Sequence, residues 1–195
     1  MASAHGAPLG LPLCREPRSL VDTEFMPNTR LPNSIFLVLV LVAAVQWWHY
    51  AQRLPEILGS HFGKSGFASA WQTKAAFFSV ELTVIVMATI VTFVIPRLIT
   101  AMPASTINLP KKEFWLSPER REETYAFLRA QMAWFGCALF AFLLLVMELV
   151  FRANLLTPPR LNNAAFVPAL VAFIAFSTIW TLRFVVHFYR TESRQ

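Results

Sequence analysis

Residues Tyr125–Val150 read YAFLRAQMAWFGCALFAFLLLVMELV, which is the longest apolar stretch of this chain. A helix needs about 20 apolar residues to cross a bilayer core about 30 Å thick, so this stretch is long enough to span a membrane. Three other stretches meet or nearly meet the same requirement, and together the four place spans at about 35–53, 75–97, 125–152 and 164–188. The sequence therefore predicts an all-α integral membrane protein, a bundle of four transmembrane helices.

The amino-acid composition agrees with a protein that is surrounded by lipid. Hydrophobic residues form 56% of the chain and charged residues only 14%, whereas soluble domains carry about 25% charged residues. A net charge of +6 would also suit a nucleic-acid-binding protein, but the Lys and Arg residues flank the apolar stretches and form no dense patch. We therefore expect the lipid bilayer as a partner, and no nucleic acid.

The distribution of Lys and Arg predicts the orientation of the bundle. The two tails and the second loop hold ten of these residues, whereas the first and third loops with their helix edges hold five. Because positive charge is enriched on the cytoplasmic side, we predict cytoplasmic N and C termini in a bacterial inner membrane. Residues 1–31 are predicted to form a disordered cytoplasmic tail, with Met26 as an alternative start. The membrane domain covers 32–190, and 191–195 form a second cytoplasmic tail.

Two loops combine aromatic, glycine and charged residues. In the predicted outer loop, 54–74, Pro55 ends the first helix and three glycines allow tight turns, so we expect a compact re-entrant or surface turn. In the predicted inner loop, 108–124, Trp115 lies among apolar and basic neighbours, which is typical of an interfacial anchor. Ser117 is a favourable N-cap for the third helix, and Pro118 is a favourable first helical residue.

Both loops resemble those of bacterial membrane proteins that carry a domain of unknown function with an outer "LP…HF…G…W…K" loop. That domain also occurs in the immunity protein against the sporulation-delaying toxin. The matching outer-loop residues are Leu54, Pro55, His61, Phe62, Gly66, Trp71 and Lys74. The similar inner-loop residues are Asn108, Leu109, Pro110, Trp115, Ser117, Pro118, Arg120 and Arg121. The resemblance implies immunity or signalling with a peptide, toxin or regulatory protein as partner, and it implies no established enzymatic activity.

Several polar side chains fall within the predicted spans, where they are costly and often functional. They are Glu81, Glu148, Arg183 and His187. Glu81 is expected to pair with Lys74 or to accept a hydrogen bond from a neighbouring helix, and Glu148 to pair with Arg152 four residues later. His49 and His61 lie near the same predicted outer face and are weak candidates for metal ligands or proton carriers.

The sequence contains no metalloprotease, nucleophile-elbow or phosphate-binding motif, so we expect neither an enzyme nor a cofactor. Our leading hypothesis is a non-enzymatic sensor, immunity or interaction protein that recognises its partner with the outer loop. A rival hypothesis is a small ion-coupled transporter or permease, in which Glu81, Glu148 and Arg183 face one cavity. A third is a membrane enzyme with His61 as a metal ligand. A homo-oligomer is compatible with all three.

Overall fold

The computed structural model describes residues 29–189 of the chain. The predictions for residues 1–28, including the start at Met26, and for residues 190–195 lie outside this range. Within it, four helices are long and apolar enough to cross a membrane, as the four apolar stretches of the sequence predict.

The first span is α1, Arg30–Ala51. The second is a continuous rod formed by α2, Lys74–Thr89, a π turn, Ile90–Val94, and α3, Ile95–Ala101. The third and fourth spans are α5, Arg121–Asn154, and α6, Asn163–Tyr189. A 3-10 turn, Ala104–Thr106, and the short helix α4, Lys112–Trp115, connect the second span to the third.

The spans expose apolar side chains around most of their circumference. In α6, no residue of the most apolar 18-residue segment is buried. In α5, only 28% of the corresponding segment is buried. Exposed aliphatic residues include Leu37, Leu41 and Val45 of α1 and Val171, Ile174 and Ile179 of α6. Such a surface would be an extensive hydrophobic patch in water, whereas it is the surface that lipid requires. The chain is therefore a multi-pass membrane protein.

Helix α5 is the centre of the bundle, because it contacts each of the other three spans. It runs parallel to α1: Phe140 packs against Phe36 at a ring-centroid distance of 5.0 Å, and further along both helices Glu148 binds Tyr50. On the opposite flank, α6 packs against α5 through aromatic rings, such as the stacked pair Phe142 and Phe173. The aromatic and hydrogen-bonding contacts of α5 thus set the positions of its neighbours.

The π turn in the second span has a local cause in Pro96. Proline lacks an amide hydrogen, and its ring crowds the carbonyl four residues earlier, which is that of Thr92. The turn widens, and Ile95 N–H donates to Ile90 O, five residues back. The span therefore continues to Ala101, whereas the sequence predicts its end at about residue 97.

The prediction of an all-α fold is wrong in the first loop. There β1, Ile57–Phe62, pairs antiparallel with β2, Ala68–Thr73, to form a two-stranded hairpin. In its turn Gly66 has φ +83°, a left-handed conformation that a side chain would strain. The hairpin runs directly into the second span, because Thr73 Oγ1 caps α2 by accepting a hydrogen bond from Ala76 N at 3.2 Å.

The predicted cap of the third helix is also wrong. Helix α5 begins at Arg121 with Arg120 as its N-cap residue, and not at Pro118 after Ser117. The carbonyl oxygen of Ser117 accepts hydrogen bonds from Arg120 N at 3.1 Å and from Arg121 N at 2.9 Å. These two hydrogen bonds close a separate turn ahead of the helix. This turn contains the residues that were expected to form the first turn of the helix.

Candidate functional site

The hairpin is fastened to the ends of the spans by segments from two loops. Along its turn, Leu161 N donates to Gly66 O at 2.7 Å, and Asn163 Nδ2 donates to Lys64 O at 2.9 Å. At its base, Lys74 Nζ donates to Leu54 O at 3.2 Å. We call residues 54–73 together with residues 155–163 the hairpin cap.

Asn154, the last residue of α5, connects the hairpin to the central helix. Its Oδ1 accepts a hydrogen bond from Gly59 N at 2.6 Å, while its Nδ2 donates to Gly59 O at 3.1 Å and to Val150 O at 3.0 Å. The side chain is buried and satisfies both backbone groups of Gly59, as a neighbouring strand would. Sequence reasoning missed Asn154, since its partner lies almost a hundred residues away in the chain.

A buried apolar cluster fills the space under the hairpin cap. Leu58 of β1 and Phe151 of α5 are fully buried at its centre. The other buried members are Tyr50, Leu54, Phe77, Val150, Ala153 and Leu161. The cap is therefore a packed structure on the end of the bundle.

The predicted outer-loop residues divide into two groups in this cap. Four of them build it: Leu54 and Gly66 are buried, Phe62 packs against the apolar cluster, and Lys74 binds the hairpin base. Pro55, His61 and Trp71 are exposed, and Trp71 exposes 54% of its surface although it is a large aromatic residue. The hairpin thus places an imidazole and an indole where a partner can reach them.

Below the hairpin, α2 and α5 enclose a cavity of about 380 Å³. At one end lie the polar residues Ser60, His61 and Gln72 of the hairpin. The walls are apolar and are formed by Phe77, Val80, Val84, Ile85, Phe140, Leu143, Leu144 and Met147. The single carboxyl group in the lining belongs to Glu81, which is only 6% exposed.

Glu81 does not form the predicted pair with Lys74, because Lys74 Nζ binds the Glu56 carboxylate at 2.8 Å. Glu81 Oε2 is buried and has no hydrogen-bond partner within the described residues. The indole of Trp47 in α1 lies beside the carboxyl group, but Trp47 Nε1 lacks a partner with hydrogen-bond geometry as well. Two adjacent buried polar groups, of which only Glu81 lines the cavity, therefore lack a well-formed hydrogen bond within the described residues.

Glu148, in contrast, is saturated with donors. The predicted pair with Arg152 is confirmed at 2.6 Å, and the carboxylate also accepts hydrogen bonds from Tyr50 OH at 2.8 Å and Gln46 Nε2 at 2.9 Å. The two α1 residues bind it across the helix interface. We interpret Glu148 as a clamp between α1 and α5.

The other charged residues of the spans lie elsewhere. Arg183 is exposed on α6. The His187 ring stacks on Phe127 at a centroid distance of 4.1 Å and contacts the tilted Trp115 ring at 5.1 Å, beside the connection between the second and third spans. The cavity lining contains Glu81 but neither Glu148 nor Arg183. The arrangement does not bring together the three residues that the permease hypothesis requires.

The two candidate metal ligands, His49 and His61, do not lie within a cluster of other metal-binding side chains in the described residues. His49 Nε2 contacts the guanidinium of Arg53, and His61 Nδ1 lies 3.3 Å from Ser60 Oγ. Within residues 29–189, His, Cys, Asp and Glu form no group of three that could hold a metal ion. The described residues thus bring no metal site to either histidine.

The predicted inner-loop residues hold the opposite end of the bundle together. Trp115 Nε1 donates to Phe188 O at 3.0 Å, and Thr124 Oγ1 donates to Trp115 O at 2.8 Å. The Arg120 guanidinium lies 3.8 Å from the centre of the Phe114 ring. Asn108, Leu109 and Pro110 precede α4, and Arg121 lies 3.8 Å from Glu122. These contacts indicate a structural role for the loop.

Local hydrogen bonds in this loop stabilise the ionised form of the Glu119 carboxyl group. The backbone N–H of Glu119, together with the Ser117 hydroxyl, lowers the pKa of the exposed Glu119 carboxyl group. Ser117 and Glu119 thus stabilise the turn before α5, although Ser117 is not the N-cap of the helix.

Comparison of the chain with protein-family models, curated proteins and solved structures finds no match. The likeness of the two loops to a known family stays a hypothesis that rests on the residues quoted above.

We expect Glu148→Ala to lower the free energy of unfolding by about 1–3 kcal/mol, because Tyr50 and Gln46 lose a charged acceptor in a partly buried place. Thermal unfolding in detergent, followed by tryptophan fluorescence, measures the change. The matched control is Arg152→Gln, which removes only the exposed partner and should shift the midpoint less. Equal shifts in both variants would contradict the clamp.

Proposed function

We propose that this protein is a non-enzymatic recognition protein of a bacterial inner membrane, a sensor or immunity protein, that binds a peptide or protein with its hairpin cap. The observation that carries the proposal is the contrast within the cap. Hydrogen bonds and buried packing hold its backbone, yet His61 and Trp71 stay exposed on it. A rigid support with exposed aromatic groups is typical of binding surfaces.

The length of the first loop supports a role beyond connection. Helices in bundles are joined by about 2–8 residues, whereas residues 52–73 separate α1 from α2 here. The third loop is also recruited, because Arg160 pairs with Phe67 as an isolated β-bridge and places its guanidinium 5.1 Å from the Phe67 ring. Two loops therefore build one surface. A loop that only connects two helices does not need such a surface.

The orientation in the proposal is N-in and C-in, which puts the hairpin cap on the outer face. It is supported by the ten Lys and Arg residues on the side of the tails and second loop, against five on the cap side. A cap on the outer face meets molecules that arrive from outside the cell, which is where a sensor or immunity protein needs its binding surface.

Site-specific photocrosslinking in intact cells tests this function. A photoreactive phenylalanine analogue at position 61 should yield a discrete protein or peptide adduct. Trp71→Ala in the same chain should reduce the adduct at least about tenfold, because truncating an aromatic hot spot costs about 2 kcal/mol of binding free energy or more.

The matched control for this experiment is Ser65→Ala, which changes an exposed residue in the hairpin turn and should leave the adduct unchanged. Position 145 reports background, because Leu145 is exposed in the middle of α5. The same adduct pattern at 61 and 145, or an adduct at 61 that is insensitive to Trp71→Ala, would contradict the proposal.

A further inference from the structure

We infer that the cavity between α2 and α5 binds a lipophilic primary amine, with the amine at Glu81 and the apolar part along the cavity walls. The cavity shares His61 with the hairpin surface, but its carboxyl group and its apolar walls belong to α2 and α5, and the inference does not rest on the role proposed for the hairpin. The volume of about 380 Å³ lies within the range of about 300–1,000 Å³ that small-molecule sites occupy.

The polarity of the cavity defines the ligand as an amphiphile. Eight of the lining residues are apolar and come from two helices, while the polar ones are Glu81 on the wall and the three hairpin residues at the end. A molecule that fills this space must be mostly hydrocarbon, and it needs one polar group at the depth of Glu81.

The carboxyl group of Glu81 defines that polar group. It is buried, Oε2 has no hydrogen-bond partner among the described residues, and the neighbouring Trp47 Nε1 is outside hydrogen-bond geometry, an arrangement that costs free energy until a better-placed donor arrives. No Lys or Arg lines the cavity, and the nearby Lys74 is bound to Glu56. His61 is the one basic side chain in the lining, and it lies at the hairpin end of the cavity. An ammonium group of the ligand supplies both a positive charge and the N–H donors that the carboxyl group lacks.

The rim of the cavity defines the route of entry. Val80 and Val84 line the cavity and are nevertheless 57% and 43% exposed on α2. The cavity thus opens through the side of a membrane-spanning helix, where the surroundings are hydrocarbon. An amphiphile dissolved in the bilayer enters sideways, and its polar end meets Glu81 below the hairpin.

Equilibrium binding of tritiated dodecylamine to the full-length protein in phosphatidylcholine nanodiscs tests the site, with binding to empty nanodiscs subtracted. We expect unlabelled dodecylamine to displace the probe, and dodecanol and dodecanoate to do so at least about tenfold less well, because a charge-assisted hydrogen bond is lost. This ligand series uses the unaltered chain and needs no variant to fold.

Variants then locate the binding. Glu81→Gln should weaken dodecylamine binding at least about tenfold, and Leu143→Trp should weaken it by filling the cavity without removing the carboxyl group. Glu119→Gln, an exposed carboxylate outside the cavity, should leave it unchanged. Unchanged binding in Glu81→Gln or Leu143→Trp, or equal displacement by the alcohol and the acid, would overturn the inference.

The amine could belong to a membrane lipid or to a free lipophilic molecule, and changing the lipid of the nanodisc distinguishes the two sources. If nanodiscs that contain phosphatidylethanolamine weaken the apparent affinity for dodecylamine, the site accepts the amine of a membrane lipid. If they do not, it accepts a free lipophilic amine only. Either result supports the site, whereas saturable binding that is absent in both kinds of nanodisc overturns it.

Discussion

Gly136→Val is expected to weaken the packing of the second span on α5 and to lower the free energy of unfolding by about 3 kcal/mol. A Cβ atom at position 136 would overlap with Thr92 Cγ2 and would lie 2.6 Å from Thr92 Oγ1 and 2.7 Å from its Cβ. Real Cβ atoms do not approach so closely, so the backbones must separate. Overpacking costs about 1–3 kcal/mol and sometimes more, and a branched side chain at this contact belongs at the upper end.

The sign of the effect of Gly136→Ala distinguishes this contact from helix propensity. In an unconstrained helix, alanine is more stable than glycine by about 0.5–1 kcal/mol. We expect Gly136→Ala to destabilise the chain, and the same change to become stabilising when Thr92→Gly has removed the facing side chain. Thermal unfolding of the two single variants and the double variant measures both signs. Stabilisation by Gly136→Ala alone would contradict the close approach.

Asn154→Ala is expected to release the hairpin from the bundle while the spans stay folded. The change leaves Gly59 N–H and C=O without their partner in a buried place, and each unpaired group costs about 1–3 kcal/mol. We therefore expect a local loss of about 2–5 kcal/mol, which raises hydrogen exchange of residues 57–73 by about thirtyfold or more. Exchange measured by mass spectrometry in nanodiscs gives the result peptide by peptide.

The control for this prediction is Asn163→Ala. Its side chain also donates to the hairpin, at Lys64 O, but the bond is exposed to solvent and water replaces it. Exchange in residues 57–73 should therefore change little in Asn163→Ala, and exchange in α5 should change little in both variants. Hairpin protection that survives Asn154→Ala would show that another contact holds the cap.

The spans were predictable because their cause is local. Apolar stretches of sufficient length form helices in lipid whatever their neighbours are, and the pair of Glu148 with Arg152 follows from a spacing of four residues along one helix. The end of the second span was misplaced for a related reason. A proline usually ends a helix, whereas at Pro96 the backbone widens into a π turn and the helix continues.

The hairpin was missed because its stability is not local. Its strands have weak alternation and few β-branched residues, and a two-stranded hairpin is marginal alone. Asn154, Leu161 and Asn163 hold it, and they come from the far end of the third span and from the following loop. The one available signal was the glycine-containing turn, residues 63–66, between two short stretches of similar length.

The cavity was half predictable. Glu81 is recognisable as a carboxyl group inside an apolar stretch, which marks it as a candidate site. Its expected partner Lys74 binds Glu56 instead, because Glu56 lies next to it at the hairpin base. The depth of the cavity and its side opening depend on how α2 meets α5, and no pattern in one helix contains that information.

The proposed function depends most on which side of the membrane the hairpin cap faces. In a chain with Cys14→Ser, the one remaining native cysteine is Cys137, which is buried. An additional cysteine introduced by Ser65→Cys reports the cap end of the bundle, and one introduced by Ser105→Cys reports the opposite end. With a membrane-impermeant maleimide on intact cells, Ser65→Cys should be labelled at once, and Ser105→Cys only after the membrane is permeabilised. Labelling of Ser105→Cys but not Ser65→Cys in intact cells would place the cap in the cytoplasm and contradict the proposed function.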